Sequence, residues 1–190
     1  MTGEQGAEGT NELTAWLEAD DANGQPMRLE RLRDLLDMLP VPSDGLTFLG
    51  GETSAICFDE VRRCYLDGSY LAVVLLCLAY IERELAADLY AKGWNQAEKA
   101  PMAAVLSKAY EEGALSELGW RTYRELSHLR NSHVHFRTPG HPESMLARVV
   151  EANALPDEVL AKDASRAVRT MATMVERQSG RRVTLGPAKD

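Results

Sequence analysis

Polar groups crowd one short stretch of this 190-residue sequence, Ser127-His128-Leu129-Arg130-Asn131-Ser132-His133-Val134-His135. The chain's four histidines, His128, His133, His135 and His141, all lie in it or just beyond it. Arginine stays charged and presents a planar fork that matches phosphate oxygens. Histidine accepts and returns a proton near neutral pH. These residue types suit phosphodiester cleavage, above all of RNA, which carries its own nucleophile in the 2′-hydroxyl. That reaction needs one proton removed, charge on the phosphorane stabilised and the leaving oxygen protonated, and it requires no metal. Arg130 and His135 are the candidate catalytic groups. Asn131 can orient a histidine or hold a phosphate oxygen.

Spacing limits how these groups meet. On a continuous helix Ser127, Asn131 and His135 lie along one side at intervals of four. Arg130 stands about 140° round from His135, because five residues turn about 100° each. The two converge if the arginine sweeps round, if the helix loosens near Val134, or if a second subunit contributes. Two such helix ends across a twofold axis would gather two arginines and two histidines in one cleft. Glu82 falls on an apolar stripe between Leu78 and Leu85, where a lone carboxylate is costly, so Arg130 or His135 is its natural partner. It is either an orienting carboxylate or half of a structural pair. Ser127 and His133 are supporting positions.

Plainer roles exist for each residue. Arg130 can pair with Glu82 or Glu125 near a helix C-terminus, where the dipole favours cations. His135 can serve as a terminal cap, and Asn131 as a last-turn polar residue. No metal is expected: His133 and His135 point apart on a helix, and no cysteine or nearby carboxylate completes a tetrahedron. No Gly-rich phosphate loop is present, and no cofactor is expected.

The elements that must position these groups are helices. Residues 1–10 are rich in Gly, Glu and Thr and are expected to be disordered. Residues 11–52 form an N-terminal helical arm and linker. Within it one short helix, Asn11 to Asp20, carries Leu13, Trp16 and Leu17. A turn is expected over Asp20 to Gly24, and a second helix from Pro26 carries Leu32, Leu35, Leu36 and Leu39. Pro40 and Pro42 end it, and Val41 to Thr53 is the linker.

The main domain, 53–180, begins at a cap on Thr53 or Ser54. Its first helix presents Phe58, Val61, Cys64 and Tyr65 and ends near Asp67-Gly68. The next runs from Ser69 to about Ala91 and is apolar almost all round, the mark of a central helix. Pro101 opens a helix to about Glu112. Ser116 starts another, with Leu118, Thr122, Leu126 and Leu129, that leads into Arg130 to His135. A short helix from Glu143 to about Glu151 precedes the last one, Pro156 to about Gln178. Residues 181–190 are a tail. No stretch alternates with period two, so no sheet is expected, and the whole reads as an all-α bundle.

Composition sets bounds. Hydrophobic residues make up 45% and charged residues 26%, which is ordinary for a globular chain. The net charge of −8 argues against non-specific nucleic-acid binding but leaves room for one phosphate in a small pocket. Cys57, Cys64 and Cys77 lack zinc spacing and read as buried free thiols in a reducing compartment. No signal peptide is visible, and the apolar run Tyr70 to Ile81 falls short of the roughly 20 residues a bilayer needs. No membrane contact is expected, and the expected location is the cytoplasm.

The pattern Arg130-Asn131-(three residues)-His135 resembles the R-x(4–6)-H signature of the HEPN superfamily, in which a polar residue commonly follows the arginine. Val61-Arg62-Arg63-Cys64-Tyr65-Leu66-Asp67-Gly68-Ser69-Tyr70-Leu71-Ala72 is similar to that family's join between its first two bundle helices. Ala79-Tyr80-Ile81-Glu82-Arg83-Glu84-Leu85 is similar to its second helix, with its acidic position. The resemblance covers roughly residues 54–178. It implies a four- to five-helix HEPN-like bundle, here with an N-terminal helical arm. It also implies a homodimer with the motif at the subunit interface and a metal-independent endoribonuclease in a toxin–antitoxin, phage-defence or RNA-processing setting. Its partners would be an RNA substrate and an antitoxin or regulatory protein. By position, Arg130 would hold the scissile phosphate, His135 would be the acid–base group and Asn131 its polar support. Some members instead serve as non-catalytic dimeric interaction or regulatory modules, and that is the alternative.

Overall fold

The computed structural model describes the backbone of residues 4–39 and 46–179 and the side chains of residues 13–39 and 46–178. Among them are seven α-helices, one 3₁₀ turn and no strand. The helices are α1 (Glu4–Met38), α2 (Glu52–Asp67), α3 (Tyr70–Ala91), α4 (Met102–Glu111), α5 (Glu117–Val134), α6 (Met145–Ala152) and α7 (Pro156–Ser179), with the 3₁₀ turn at Asn95–Glu98. The expected tail at 181–190, and Pro40 and Pro42 in the linker, lie outside the described residues.

Helix α3 is the axis of the bundle, and its sequence dictates that. Val73, Val74, Cys77, Leu78, Tyr80, Ile81, Leu85 and Leu89 point in several directions and are all buried. Burying each large aliphatic side chain contributes about 1.5–3 kcal/mol relative to exposure. Helices α2 and α7 lie along it, and α5 and α4 cover the remaining sides. Gly68, at φ 77, ends α2 in the left-handed conformation, and the Ser69 N–H returns to the Cys64 carbonyl. The turn is tight enough for α3 to start at Tyr70. Helix α7 fits closely because Ala164 and Ala167 are small, with Val168, Met171 and Val175 filling the contact. Cys57 and Cys77 are buried, Cys64 is half-buried, and all three thiols are free.

Three expectations about boundaries need correction. The two-helix arm is a single helix, Glu4–Met38, which starts within the stretch expected to be disordered and continues through Asp20–Gly24 and Pro26. Register explains the continuity: from Leu13 to Leu35 the helix turns to within about 40° of its starting direction, so one apolar stripe persists. An Arg28–Asp21 ion pair at 3.0 Å spans the backbone bond that Pro26 removes. The second correction is the cap of α2, which is Gly51 at φ 73, while Ser54 is buried within the helix. The third is Leu118, which is 75% exposed; Leu115, just before the Ser116 cap, turns inward instead.

Among the described side chains of α1 the buried ones lie at its C-terminal end, Leu35 and Met38, followed directly by buried Leu39. Arg31 anchors it by donating to the Leu66 carbonyl at 2.8 Å and the Tyr70 hydroxyl at 3.2 Å.

A buried carboxylate closes the connection from α1 to α2. Glu84 is 1% exposed and accepts from the Leu49 N–H at 2.9 Å and the Gly50 N–H at 3.1 Å. Gln178 Nε2 also donates to it, and the Tyr80 hydroxyl donates to Gln178 Oε1 at 2.6 Å. One polar knot thus ties the 46–51 segment to α3 and α7. A Cβ on Gly50 would overlap Ser54 Oγ and come within 3.1 Å of Arg83 Cβ and Glu84 Oε1. Gly50→Ala is therefore expected to cost about 1–3 kcal/mol, read as a lower thermal midpoint by circular dichroism. An unchanged midpoint would show that the segment can move aside.

Candidate functional site

The last turn of α5 carries the motif. Tyr123 and Leu126 bury the helix against the bundle, which leaves Arg130, four residues on from Leu126, at the edge of the α3–α5 contact. Arg130 is half-buried and lines a cavity of about 240 Å³ with Leu75, Leu78, Ala79, Glu82 and Val134. Facing it is Glu82, the carboxylate that interrupts the apolar stripe of α3. Burial pushes the Glu82 carboxyl up, and the Arg130 charge partly offsets that. The pair stays apart by more than an ion-pair contact. Among the described residues the Arg130 side chain makes no hydrogen bond.

His135 takes a different course. Helix α5 stops at Val134, and His135 sits at its C-cap in extended conformation, φ −95 and ψ 134. Its N–H donates to the Asn131 carbonyl at 3.1 Å, and its side chain is exposed. The chain leaves the helix at His135, the last of the three positions expected along one side. His135 is not among the residues lining the Arg130 cavity, so a single chain does not enclose guanidinium and imidazole in one pocket. Asn131 and Ser127 are half-buried, without side-chain hydrogen bonds among the described residues.

His133 has a structural position. Its side chain is 5% exposed, and Nε2 lies 2.9 Å from Asp163 Oδ2. Arg148 forks onto the same carboxylate at 2.6 and 2.7 Å. Burial pushes the Asp163 carboxyl up, but the His133 hydrogen bond and the Arg148 fork together outweigh it and hold it below its ordinary range. These contacts fasten α6 to α5 and α7, and His133 thereby points away from the Glu82–Arg130 cleft. Asp163 and Arg148 escaped the sequence reading, although Asp163 sits beside Ala164 on the buried stripe of α7.

The other histidines are dispersed. His128 is exposed, and His141 Nδ1 accepts from the Glu143 N–H at 3.1 Å in the turn before α6. Among the described residues no group of three His, Cys, Asp or Glu side chains is placed to hold a metal, and no helix is long and apolar enough to cross a membrane.

The Glu82–Arg130 relation gives a measurable expectation. A carboxyl raised above its unfolded value favours the folded state at low pH, and that contribution is lost as pH rises through the folded value. Glu82→Gln should therefore stabilise the fold slightly at neutral pH. Arg130→Ala should move the Glu82 carboxyl still higher, since the offsetting charge is gone, as carbon-13 NMR titration would read directly. No movement would mean that the guanidinium does not act on Glu82.

Comparison with family models, with curated proteins and with solved structures gave no match for this chain.

Proposed function

We propose that this chain is a metal-independent endoribonuclease of the HEPN type that acts as a homodimer. One observation carries the reading. Arg130 lines an open cleft with no ion-pair partner among the described residues, five residues before an imidazole that the end of α5 presents to solvent. A half-buried guanidinium with unused donors suits a phosphate better than a purely structural position does. Phe136, next to the imidazole, is 88% exposed and offers a ring on which a splayed base can stack.

The chemistry follows from these groups. A histidine from one subunit takes the proton of the RNA 2′-hydroxyl as its oxygen attacks the neighbouring phosphorus. Arg130 holds the non-bridging oxygens as charge builds there. The bond from phosphorus to the 5′-oxygen breaks, and the same histidine returns its proton to the leaving oxygen. The products are a 2′,3′-cyclic phosphate and a free 5′-hydroxyl.

The exposed arm residues Leu13, Trp16 and Leu17 favour a second reading, a non-catalytic dimeric module that recruits a regulatory partner. One comparison separates the two. Wild type and the Arg130→Ala/His135→Ala form are incubated with RNA in EDTA, and growth is followed on expression of each. Cleavage to cyclic-phosphate ends by wild type alone supports the enzyme. Equal behaviour of the two forms removes it and leaves the recruiting module.

A further inference from the structure

We infer that the projecting half of α1 docks into the groove between α5 and α7 of a second copy, so that two chains exchange acidic arms. The inference does not depend on the nuclease chemistry, and its test reads association alone.

The arm has the makings of a ligand. Its anchoring contacts to the end of α2 begin at Arg28, 3.8 Å from Asp67, and at Arg31. Residues 4–27 continue as helix past that point for about 36 Å, at about 1.5 Å per residue. Leu13 and Leu17 extend the stripe that docks Leu35, Trp16 stands about 100° round from it, and all three are exposed. The charge is one-sided: before Arg28 the sequence holds six acids, Glu4, Glu8, Glu12, Glu18, Asp20 and Asp21, and no lysine or arginine. Asp21 pairs with Arg28, which leaves Glu18 and Asp20 as the described acids available to a partner.

The receptor is on the same chain. Lys162, Arg166 and Arg169 recur at intervals of four and three on the outer side of α7, and with Thr122 of α5 they line a groove of about 450 Å³. No acid lines it. In a chain of net charge −8 this is a local field of opposite sign, and its walls are threonine methyls and the aliphatic stems of the cations. Trp16 and Asp20, four residues apart on the arm, match that repeat with a ring for a guanidinium and a carboxylate for the next cation. The arm's own groove lies on the helix that the docked half of α1 packs against: α1 meets α7, and Ser165, which lines the groove, lies 3.1 Å from the Tyr65 hydroxyl of α2. Among the described residues none of α1 lines this groove, so the arm leaves it open to a second copy. Because the contact is reciprocal, two arms satisfy two grooves and the assembly closes as a twofold dimer.

A charge swap in the full chain tests this. The groove variant is Lys162→Glu/Arg169→Glu, which spares the Arg166–Glu125 pair. The arm variant is Trp16→Lys/Asp20→Lys, both on the face proposed to enter the groove. Sedimentation equilibrium should show a wild-type dimer that weakens with added salt. Each variant alone should dimerise about tenfold to a hundredfold more weakly, with its helical content unchanged by circular dichroism. Mixed together they should recover a heterodimer, because an acidic arm then meets a basic groove and a basic arm meets an acidic groove. A wild-type monomer overturns the proposal. So does a dimer that neither variant weakens, or a mixture no tighter than its parts. Binding of single-stranded RNA to the groove without any arm-dependent dimer overturns it as well.

Discussion

Arg130→Ala is expected to lower EDTA-resistant RNA cleavage about a hundredfold to a thousandfold, the cost of removing one preorganised charge stabiliser at the phosphorane. His135→Ala should lose about a hundredfold to ten-thousandfold, the range for a positioned acid–base group. Arg130 makes no hydrogen bond among the described residues, and His135 is exposed. His135→Ala should therefore keep the wild-type melting curve, whereas Arg130→Ala should melt slightly lower at neutral pH because the charge that offsets the burial of Glu82 is gone. Mixing them then asks where the site is. If each site takes its arginine from one subunit and its histidine from the other, half of the exchanged dimers hold one intact site. About a quarter of wild-type activity should then return. If both groups act within one chain, the mixture stays inactive. Cleavage that survives in Arg130→Ala would remove the guanidinium from the mechanism.

How much of this was legible in the residues depended on how periodic they are. Helix α3 could be read because its apolar run admits only a covered helix, and its limits at Ser69 and Gly93 are marked by residues whose backbone preferences are strong. The end of α5 was half legible. The spacing that suggested Ser127, Asn131 and His135 on one side assumed a helix through His135, whereas the helix ends at Val134, where exposed Val134, His135 and Phe136 offer no buried side chain to continue it. Glu82 was found because it breaks a stripe. Glu84 and Asp163 break stripes too, but their partners come from distant segments, Leu49 and Gly50 in one case and Arg148 in the other. Sequence spacing contains no information about such long-range meetings. In α1, turn-forming Asp, Asn and Gly outweighed a continuous register in the reading, although a surface glycine costs a helix only about 1 kcal/mol. The basic groove was missed because its cations are separated by ordinary helical residues and become a field only when α5 lies beside them.

Asp163→Ala should be the most destabilising single change considered, about 3–5 kcal/mol, because it leaves the Arg148 guanidinium without its counter-charge and the His133 ring without its hydrogen-bond partner in a nearly closed site. For a chain of this length that corresponds to a midpoint lower by roughly 6–20 °C. The pH dependence has a definite sign. A carboxyl held below its unfolded value contributes stability at pH above that unfolded value, near 3.9, and the contribution is lost as pH falls through the folded one. Wild type should therefore lose stability on acidification through that window more steeply than Asp163→Ala, so the two curves converge at low pH. A structural ion pair predicts one further result. Removing the stranded cation as well, in Asp163→Ala/Arg148→Met, should recover part of the loss, since an apolar side chain tolerates that burial better than an unpaired charge. Recovery with a restored melting cooperativity would locate the effect in the α5–α6–α7 junction. A double variant no more stable than the single one would mean that the carboxylate supports the fold through something other than Arg148. A single variant that melts like wild type would mean that the junction is not a stabilising contact at all.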